Sequence, residues 1–351
     1  ELMQALIDLE QERGIPKAAL IDAIKTALNT AYKKNFGTSQ NVNVEMNEIT
    51  GAVQVYSQKQ VVAEVKDKST EISLDEAHQI NPDAQLDEII DIEITPSNFG
   101  RIAAQTAKQV VVQKLREAER SMIFEEFADR EGEIVTGTIQ RMESKIVVVN
   151  LGRTEGIMLP SDQISTERYE VGQRIKCYIY EVKNSTKGPS IFISRSHPAF
   201  LKRLFELEVP EIYDGLVEIK SIAREAGARS KISVHSLEEG IDSVGACVGP
   251  RGIRVQNIVN ELNGEKIDII KYSKDPEKFI ANALSPSKVI AVDIDEDEKK
   301  ARVIVPDYQL SLAIGKEGQN ARLAAKLTAW KIDIKSESQA EEEHYEDGES
   351  S

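Results

Sequence analysis

Gly249-Pro250-Arg251-Gly252 and Gly315-Lys316-Glu317-Gly318 are the two stretches that decide the fold. Each has the form G-x-x-G, and a chain with 20 glycines in 351 residues contains about one such tetrad by chance. Both tetrads lead into helix-like sequence and then reach the same tetrapeptide, Lys-Ile-Asp-Ile, at 266–269 and 331–334. The sequence therefore contains an internal repeat with a period of about 66 residues.

The chemistry of the tetrad points to a phosphate strand. Two glycines allow a tight turn between helices, and without a Cβ they let a sugar-phosphate backbone approach the main chain. The helix that follows presents unpaired N–H groups and its positive dipole end. Arg251 and Arg254 add basic groups in the first copy, as Lys316 and Arg322 do in the second. The pattern resembles the G-x-x-G loop of a KH domain, which clamps about four nucleotides of single-stranded nucleic acid. The alternative is an ordinary turn between two helices.

The elements predicted around each tetrad occur in one order: helix, two paired strands, helix, tetrad, helix and strand. This resembles the type II arrangement of KH folds. In the first copy the predicted elements are 200–208, 216–223, 231–235, 253–262 and 266–270, and in the second they are 276–283, 289–294, 301–305, 310–314, 319–327 and 331–334.

Residues 131–198 predict a small β-barrel of the OB type, because five strand-like runs occur in about 65 residues. On the fourth run, Ile175, Cys177 and Ile179 form an inward set, and Lys176, Tyr178 and Tyr180 share the opposite face. This face, with Phe192 on the next run, is either a platform on which bases stack or a surface packed against a neighbouring domain.

The first 130 residues predict an α/β domain. Two helices separated at Gly14 precede strands at 42–46, 52–56 and 61–65, and a half-buried strand follows at 87–93. One long connecting helix is expected over 97–128. The expected fold class is therefore multidomain α+β.

The net charge of −15 first argues against a nucleic-acid binder. However, residues 1–130 carry −8 and residues 336–351 carry −7, so the body at 131–335 is neutral. The acidic tail is expected to be disordered and solubilising.

Several classes of protein are disfavoured by what the sequence lacks. Two cysteines cannot form a disulfide framework, the four histidines have no partner at metal-ligand spacing, and no apolar run reaches a membrane span of about 18 residues. Without a Walker loop or a nucleophile elbow, a non-enzymatic cytoplasmic protein with no metal, cofactor or membrane contact is expected.

The chain resembles the NusA family of bacterial transcription factors in order and motif over nearly all of residues 1–335. The stretches that carry the resemblance are 106–110, 116–120, Val244–Gly249 with Arg251-Gly252, and Ala313–Gly315 with Gly318-Gln319-Asn320-Ala321-Arg322-Leu323-Ala324. The resemblance implies an N-terminal domain that docks on RNA polymerase, then an S1 domain and two KH domains that share one RNA-binding surface. It also implies roles in pausing, intrinsic termination and antitermination, with other Nus antitermination factors as partners.

The expected domains are 1–130 for polymerase, 131–198 for S1, 199–273 and 274–335 for the two KH domains, and 336–351 for the tail. The expected RNA-binding residues are both tetrads with Arg254, Gln319, Asn320 and Arg322, and Lys176, Tyr178 and Tyr180 on the barrel. A monomer that binds nascent single-stranded RNA is expected. The alternatives are an RNA-binding module of the ribosome or of RNA decay, and a hydrolytic enzyme. The sequence leaves open the RNA preference, the polymerase contacts and the role of the tail.

Overall fold

The computed structural model describes residues 1–37 and 41–349. The chain divides into two compact units, Glu1–Ile123 and Phe124–Ser351. It passes from one to the other inside a single 30-residue helix, Phe99–Ala128, which confirms the long helix that the sequence predicts. No helix in the described part of the chain is both long enough and apolar enough to cross a membrane.

The first unit places helices beside a four-stranded sheet in which β2 is central. β2 pairs antiparallel with β1 and β4 and parallel with β3. The elements are α1 Leu2–Arg13, α2 Lys17–Phe36, β1 Val42–Met46, β2 Val53–Val62, β3 Glu71–Ser73, α3 Leu74–Ile80, β4 Ile89–Glu93 and α4 Phe99–Ala128.

Two strand predictions in this unit need correction. The separate strands expected at 52–56 and 61–65 are one strand, β2, because its polar middle is hydrogen-bonded to β1 on one side and β4 on the other. The strand expected from Asp87 begins at Ile89, since Asp87 has a positive φ of 68° that interrupts extended backbone.

The core of the first unit lies mainly between the helices and the sheet. Leu6, Leu20, Ile24, Leu28 and Phe99 are all buried there. The helical spacing of the α2 positions explains why one face of that helix is apolar.

The second unit begins with a closed barrel, as the sequence predicts. Its strand order is β5-β6-β7-β9-β8, and β7 and β9 are parallel. The predicted alternation also holds, because Ile175, Cys177 and Ile179 are buried while Lys176 is exposed. The strands are β5 Ile134–Glu143, β6 Ile146–Asn150, β7 Glu155–Met158, β8 Arg174–Ser185 and β9 Gly188–Ser194.

Two copies of one α+β unit follow the barrel, and each has a three-stranded sheet. In both, the first two strands are antiparallel and the third joins parallel to the second. The first copy contains α5 Pro198–Glu208, α6 Pro210–Tyr213, β10 Val217–Glu225, β11 Arg229–Ser236, α7 Ser243–Val248, α8 Ile253–Glu261 and β12 Lys266–Lys271. The second contains α9 Pro276–Ala283, β13 Ala291–Asp295, β14 Lys300–Val305, α10 Leu310–Ile314, α11 Gln319–Thr328 and β15 Lys331–Ser336. The element order predicted from the repeat is confirmed.

The acidic tail differs from the prediction of disorder. A helix, α12 Glu337–Glu349, follows β15 directly. Glu343 forms ion pairs with Arg302 and Lys335, and Ala340 is buried. Basic side chains of the second sheet therefore compensate part of the negative charge of the tail.

Candidate nucleic-acid interface

The two tetrads have the same backbone conformation. The first glycine has φ 76° and ψ 171° in one copy and φ 77° and ψ 171° in the other. The fourth glycine is left-handed in both, with φ 74° and 72°. The sequence repeat is therefore a repeat of local structure, down to the dihedral angles of a single turn.

The first glycine of each tetrad is required by packing as well as by its dihedral angles. A Cβ built on Gly249 would lie 2.5 Å from Cγ of Arg254, and one on Gly315 would lie 2.8 Å from the backbone nitrogen of Asn320. The turn thus lies directly on the helix that follows it. Sequence reasoning assigned this glycine to the approach of a ligand and missed its contact with the helix.

The fourth glycine faces open space. A Cβ on Gly252 or Gly318 would meet nothing within 4 Å. Each of these glycines is also the N-cap of the next helix, α8 or α11, and no side chain caps either helix. The first-turn N–H groups therefore lack a side-chain acceptor, which is the arrangement that binds a phosphate.

The third tetrad residue is left-handed although it is not glycine. Arg251 has φ 55° and Glu317 has φ 54°, and both side chains are exposed. Such a conformation costs about 1–3 kcal/mol. The same strain at the same position of both copies marks the two turns as a matched pair.

Two of the predicted RNA-binding residues support the turn from inside. Arg254 donates from Nη1 to the Glu211 carboxylate at 2.8 Å and to the Ala246 carbonyl at 2.6 Å. Asn320, at the equivalent position of the second copy, is 1% exposed and donates to the carbonyls of Leu284 and Ala313. These bonds hold both side chains against the turn, and only Arg254, whose side chain is 24% exposed, keeps part of its surface open to a ligand.

The remaining predicted residues near the tetrads lie at the surface. Arg251 and Lys316 are exposed, and neither forms an ion pair within the described residues. Arg322 and Gln319 both donate to Glu225, which comes from the first α+β copy. The sequence does not predict this contact, because Glu225 lies about a hundred residues before Gln319 and Arg322.

On the barrel face, Tyr178 and Lys176 contact the first α+β copy, which favours the packing role, and base stacking on this face stays a prediction. The Tyr178 ring stacks on His197 with centroids 5.0 Å apart and packs against the core of the first α+β copy. Lys176 lies 3.8 Å from the Glu261 carboxylate of that copy. Tyr180 is half-buried, also stacks on His197, and donates its hydroxyl to Asp162 at 2.9 Å. Burial and this hydrogen bond raise the Tyr180 pKa, so the phenol stays neutral.

His197 belongs to this aromatic cluster and was missed from the sequence. It precedes α5, where its Nδ1 accepts from the Ala199 N–H. Burial lowers the pKa of His197, which favours the neutral imidazole that can accept this bond. The signal in the sequence was the His-Pro pair at a helix start, a position that favours capping residues.

The buried Arg195 side chain joins the barrel to the first α+β copy. The Arg195 side chain is 3% exposed, holds Glu167 with two bonds of 2.7 Å, and also donates to the Glu261 carbonyl at 2.9 Å. Burial opposes ionisation of Glu167, but the bonds from Arg195 hold its pKa below the ordinary value. A bidentate pair fixes orientation as well as distance.

The buried Lys231 side chain joins the two α+β copies. Lys231 of β11 donates from Nζ to Asp268 at 2.9 Å and to the Ser285 carbonyl of the second copy at 2.8 Å. Ala223 and Ile270 of the first copy belong to the apolar core of the second. The barrel and both copies therefore form one body, with both tetrads at a fixed spacing.

These domains define a class of multidomain RNA-binding proteins. The model for the S1 RNA binding domain matches residues 128–194, and the models for the NusA-like first and second KH domains match residues 195–272 and 276–342. The model for the NusA N-terminal domain matches residues 1–121.

Known relatives resemble the whole chain. It is 60% identical to the transcription termination/antitermination protein NusA of Halalkalibacterium halodurans, with 97% of this chain and 90% of the relative covered. It is 59% identical to the same protein of Bacillus subtilis, with 97% and 92% covered. The chain belongs to the NusA family. A solution structure of the B. subtilis N-terminal domain matches 34% of this chain and 96% of its own length at 53% identity, with a TM-score of 0.32.

Proposed function

We propose that this protein is a non-enzymatic factor of transcription termination and antitermination in the cytoplasm. Residues 1–130 dock on RNA polymerase, and residues 131–335 bind nascent single-stranded RNA through the S1 barrel and both KH domains. Family membership supports the process, since the full-length relatives are named for termination and antitermination. The protein acts as a monomer, with other Nus antitermination factors as further partners.

One observation carries the RNA-binding proposal: two matched turns on a single body, each at an uncapped helix N-terminus. Each turn presents one exposed basic side chain, Arg251 or Lys316, beside a glycine that faces open space. A phosphate strand can therefore reach N–H groups, a helix dipole and a cation together. Modules that are individually weak then bind one strand tightly, because the first contact raises the local concentration at the second.

The test reverses the charge at both turns of the full chain. The variant Arg251→Asp/Lys316→Asp is expected to lose binding to an unstructured RNA of A, C and U, while polymerase still co-purifies with it. The matched control is Lys266→Asp/Lys331→Asp. These lysines are exposed, occupy equivalent positions in the repeat, and follow the far ends of α8 and α11. Equal loss in the control would show a general charge effect, and unchanged affinity in the tetrad variant would refute the site.

Salt dependence gives an independent measurement. With about four phosphate contacts and a slope near −0.7 for each, affinity is expected to fall on the order of fiftyfold between 50 and 200 mM salt. A flat response would show that stacking or base contacts dominate, in which case the barrel face around Tyr180 and Phe192 becomes the main site.

Co-purification distinguishes the proposed process from the alternatives. The full chain is expected to retain polymerase subunits from a bacterial lysate after nuclease treatment, because docking does not depend on RNA. Retention of ribosomes or RNA-decay enzymes in place of polymerase would favour the alternative RNA-binding role. RNA cleavage or phosphate release by the pure protein would favour an enzyme.

A further inference from the structure

The second tetrad is contacted by an acidic side chain from the other KH domain. Glu225 ends β10 of the first KH domain, and each of its carboxylate oxygens accepts a bond from α11 of the second. Arg322 donates from Nε at 2.6 Å, and Gln319 donates from Nε2 at 2.9 Å. These are the first and fourth residues of the helix that follows the tetrad.

This ion pair lies at the tetrad itself. Arg322 also donates from Nη1 to the carbonyl of Glu317, the strained third residue of the turn, at 3.0 Å. The Arg322 side chain is 45% exposed and that of Glu225 is 23% exposed, so both are close to solvent and to any strand bound there. The hydrogen bond from Arg322 lowers the Glu225 pKa, and the carboxylate is therefore charged at neutral pH.

The two tetrads consequently differ in charge although their backbones match. At the first, Glu211 compensates Arg254, and the exposed Arg251 leaves one net positive charge. At the second, Glu317 follows Lys316 directly, and Glu225 compensates Arg322. The charges of Lys316, Glu317, Arg322 and Glu225 thus cancel at the second tetrad, with Lys326 of the same helix also acting on Glu225. A phosphate bound at these four residues releases fewer counterions.

We propose that Glu225, placed by the first KH domain, weakens phosphate binding at the second tetrad. It cancels Arg322, so the second tetrad holds RNA through N–H groups and base contacts more than through charge. Contacts that do not depend on charge discriminate between sequences, whereas phosphate contacts hold every sequence alike. This inference depends on the proposed RNA-binding function.

The test is a charge cycle in the full chain with a labelled, unstructured RNA of about 20 nucleotides, long enough for several modules of about four nucleotides each. Glu225→Gln frees one guanidinium for one phosphate. We expect roughly fivefold tighter binding at 0.1 M salt and a slope about 0.7 more negative. Arg322→Gln leaves the carboxylate uncompensated and is expected to bind more weakly, while the double variant returns close to the parent.

The control is Glu218→Gln. Glu218 is a carboxylate on the same strand that pairs with Lys220 at 2.9 Å, and its removal is expected to leave affinity and slope unchanged. Weaker or unchanged binding by Glu225→Gln would overturn the proposal, since a carboxylate that only joins the two domains would lower affinity when lost. If the other variants do not fold, Arg322→Gln still tests the charge effect, because it is expected to lower the affinity for RNA and the salt dependence of binding.

Failure of this inference is distinguishable from failure of the proposed function. If Arg251→Asp/Lys316→Asp loses RNA binding but Glu225→Gln gains no affinity, the tetrads bind RNA and Glu225 does not weaken phosphate binding at the second one. If the tetrad variant and the Glu225 and Arg322 variants all bind RNA like the parent protein, the tetrads are not the RNA-binding site.

Discussion

The two glycines of a tetrad are expected to respond differently to the same substitution. In the second copy, a methyl group on Gly315 would lie 2.8 Å from the backbone nitrogen of buried Asn320, which cannot move aside as a flexible side chain would. A methyl group on Gly318 would meet nothing within 4 Å. Gly315→Ala should therefore damage the fold, and Gly318→Ala should mainly damage RNA binding.

The magnitudes follow from the geometry. In Gly315→Ala, backbone strain costs about 1–3 kcal/mol and overpacking costs about 1–3 kcal/mol. The free energy of unfolding should therefore fall by about 2–6 kcal/mol. Gly318→Ala should lower the free energy of unfolding by only about 1–2 kcal/mol, the cost of placing alanine in a left-handed conformation. Its methyl group would occupy the space open to the RNA backbone, and the loss of one phosphate contact is worth roughly fivefold in affinity at 0.1 M salt.

The assay uses a reporter within the same domain. Trp330 is the only tryptophan of the chain, and it is buried in the second KH core. Urea unfolding followed by its fluorescence gives the stability of each variant, and RNA titration gives the affinity. The reasoning is refuted if Gly318→Ala destabilises as much as Gly315→Ala, or if it binds RNA as tightly as the parent.

Three further predictions concern the junctions and the C-terminal helix. Lys231→Met should lower the free energy of unfolding of the second unit by about 3 kcal/mol. This is the low end of the range for breaking a buried ion pair, because Arg229 still pairs with Asp268. A decrease below about 1 kcal/mol in urea unfolding would contradict this prediction. The free energy of unfolding should fall as the pH drops below 4.5, the ordinary pKa of Glu167, because a carboxylate with a lowered pKa stabilises the fold only while it is ionised. Glu167→Gln should make the acid unfolding curve, followed by Trp330 fluorescence, less steep. An equally steep curve would contradict this role of Glu167. Glu343→Gln should lower the free energy of unfolding by less than about 1 kcal/mol, measured by thermal unfolding, since its ion pairs are half-exposed to solvent. A larger loss would show that α12 is a core element.

The sequence predicts the fold where local chemistry determines it. The paired glycines, the repeated Lys-Ile-Asp-Ile and the periodicity of α4 each depend on residues within a few positions of one another. The predicted element order of the barrel and both KH domains is therefore confirmed, with most boundaries within two or three residues.

The site is less predictable because its decisive contacts join distant residues. The sequence shows that Arg254 and Arg322 are basic but not that Glu211 and Glu225 compensate them, and Asn320 is polar yet buried. Composition alone also made the acidic tail look disordered, although basic groups from two strands of the second sheet pair with it. Each error arises from a tertiary partner, which propensity and spacing do not reveal.

The buried Arg195 and Lys231 junctions have a consequence for RNA structure. Because the barrel and both tetrads lie in one compact unit, an RNA strand that bound at all three sites would have to span fixed distances between them. No flexible linker can shorten to accommodate a folded strand. A base-paired stem forming between two sites would have to pull the strand off at least one of them. Binding at all three sites would thus require a transcript that is unpaired between them, and hairpin formation would compete directly with RNA binding.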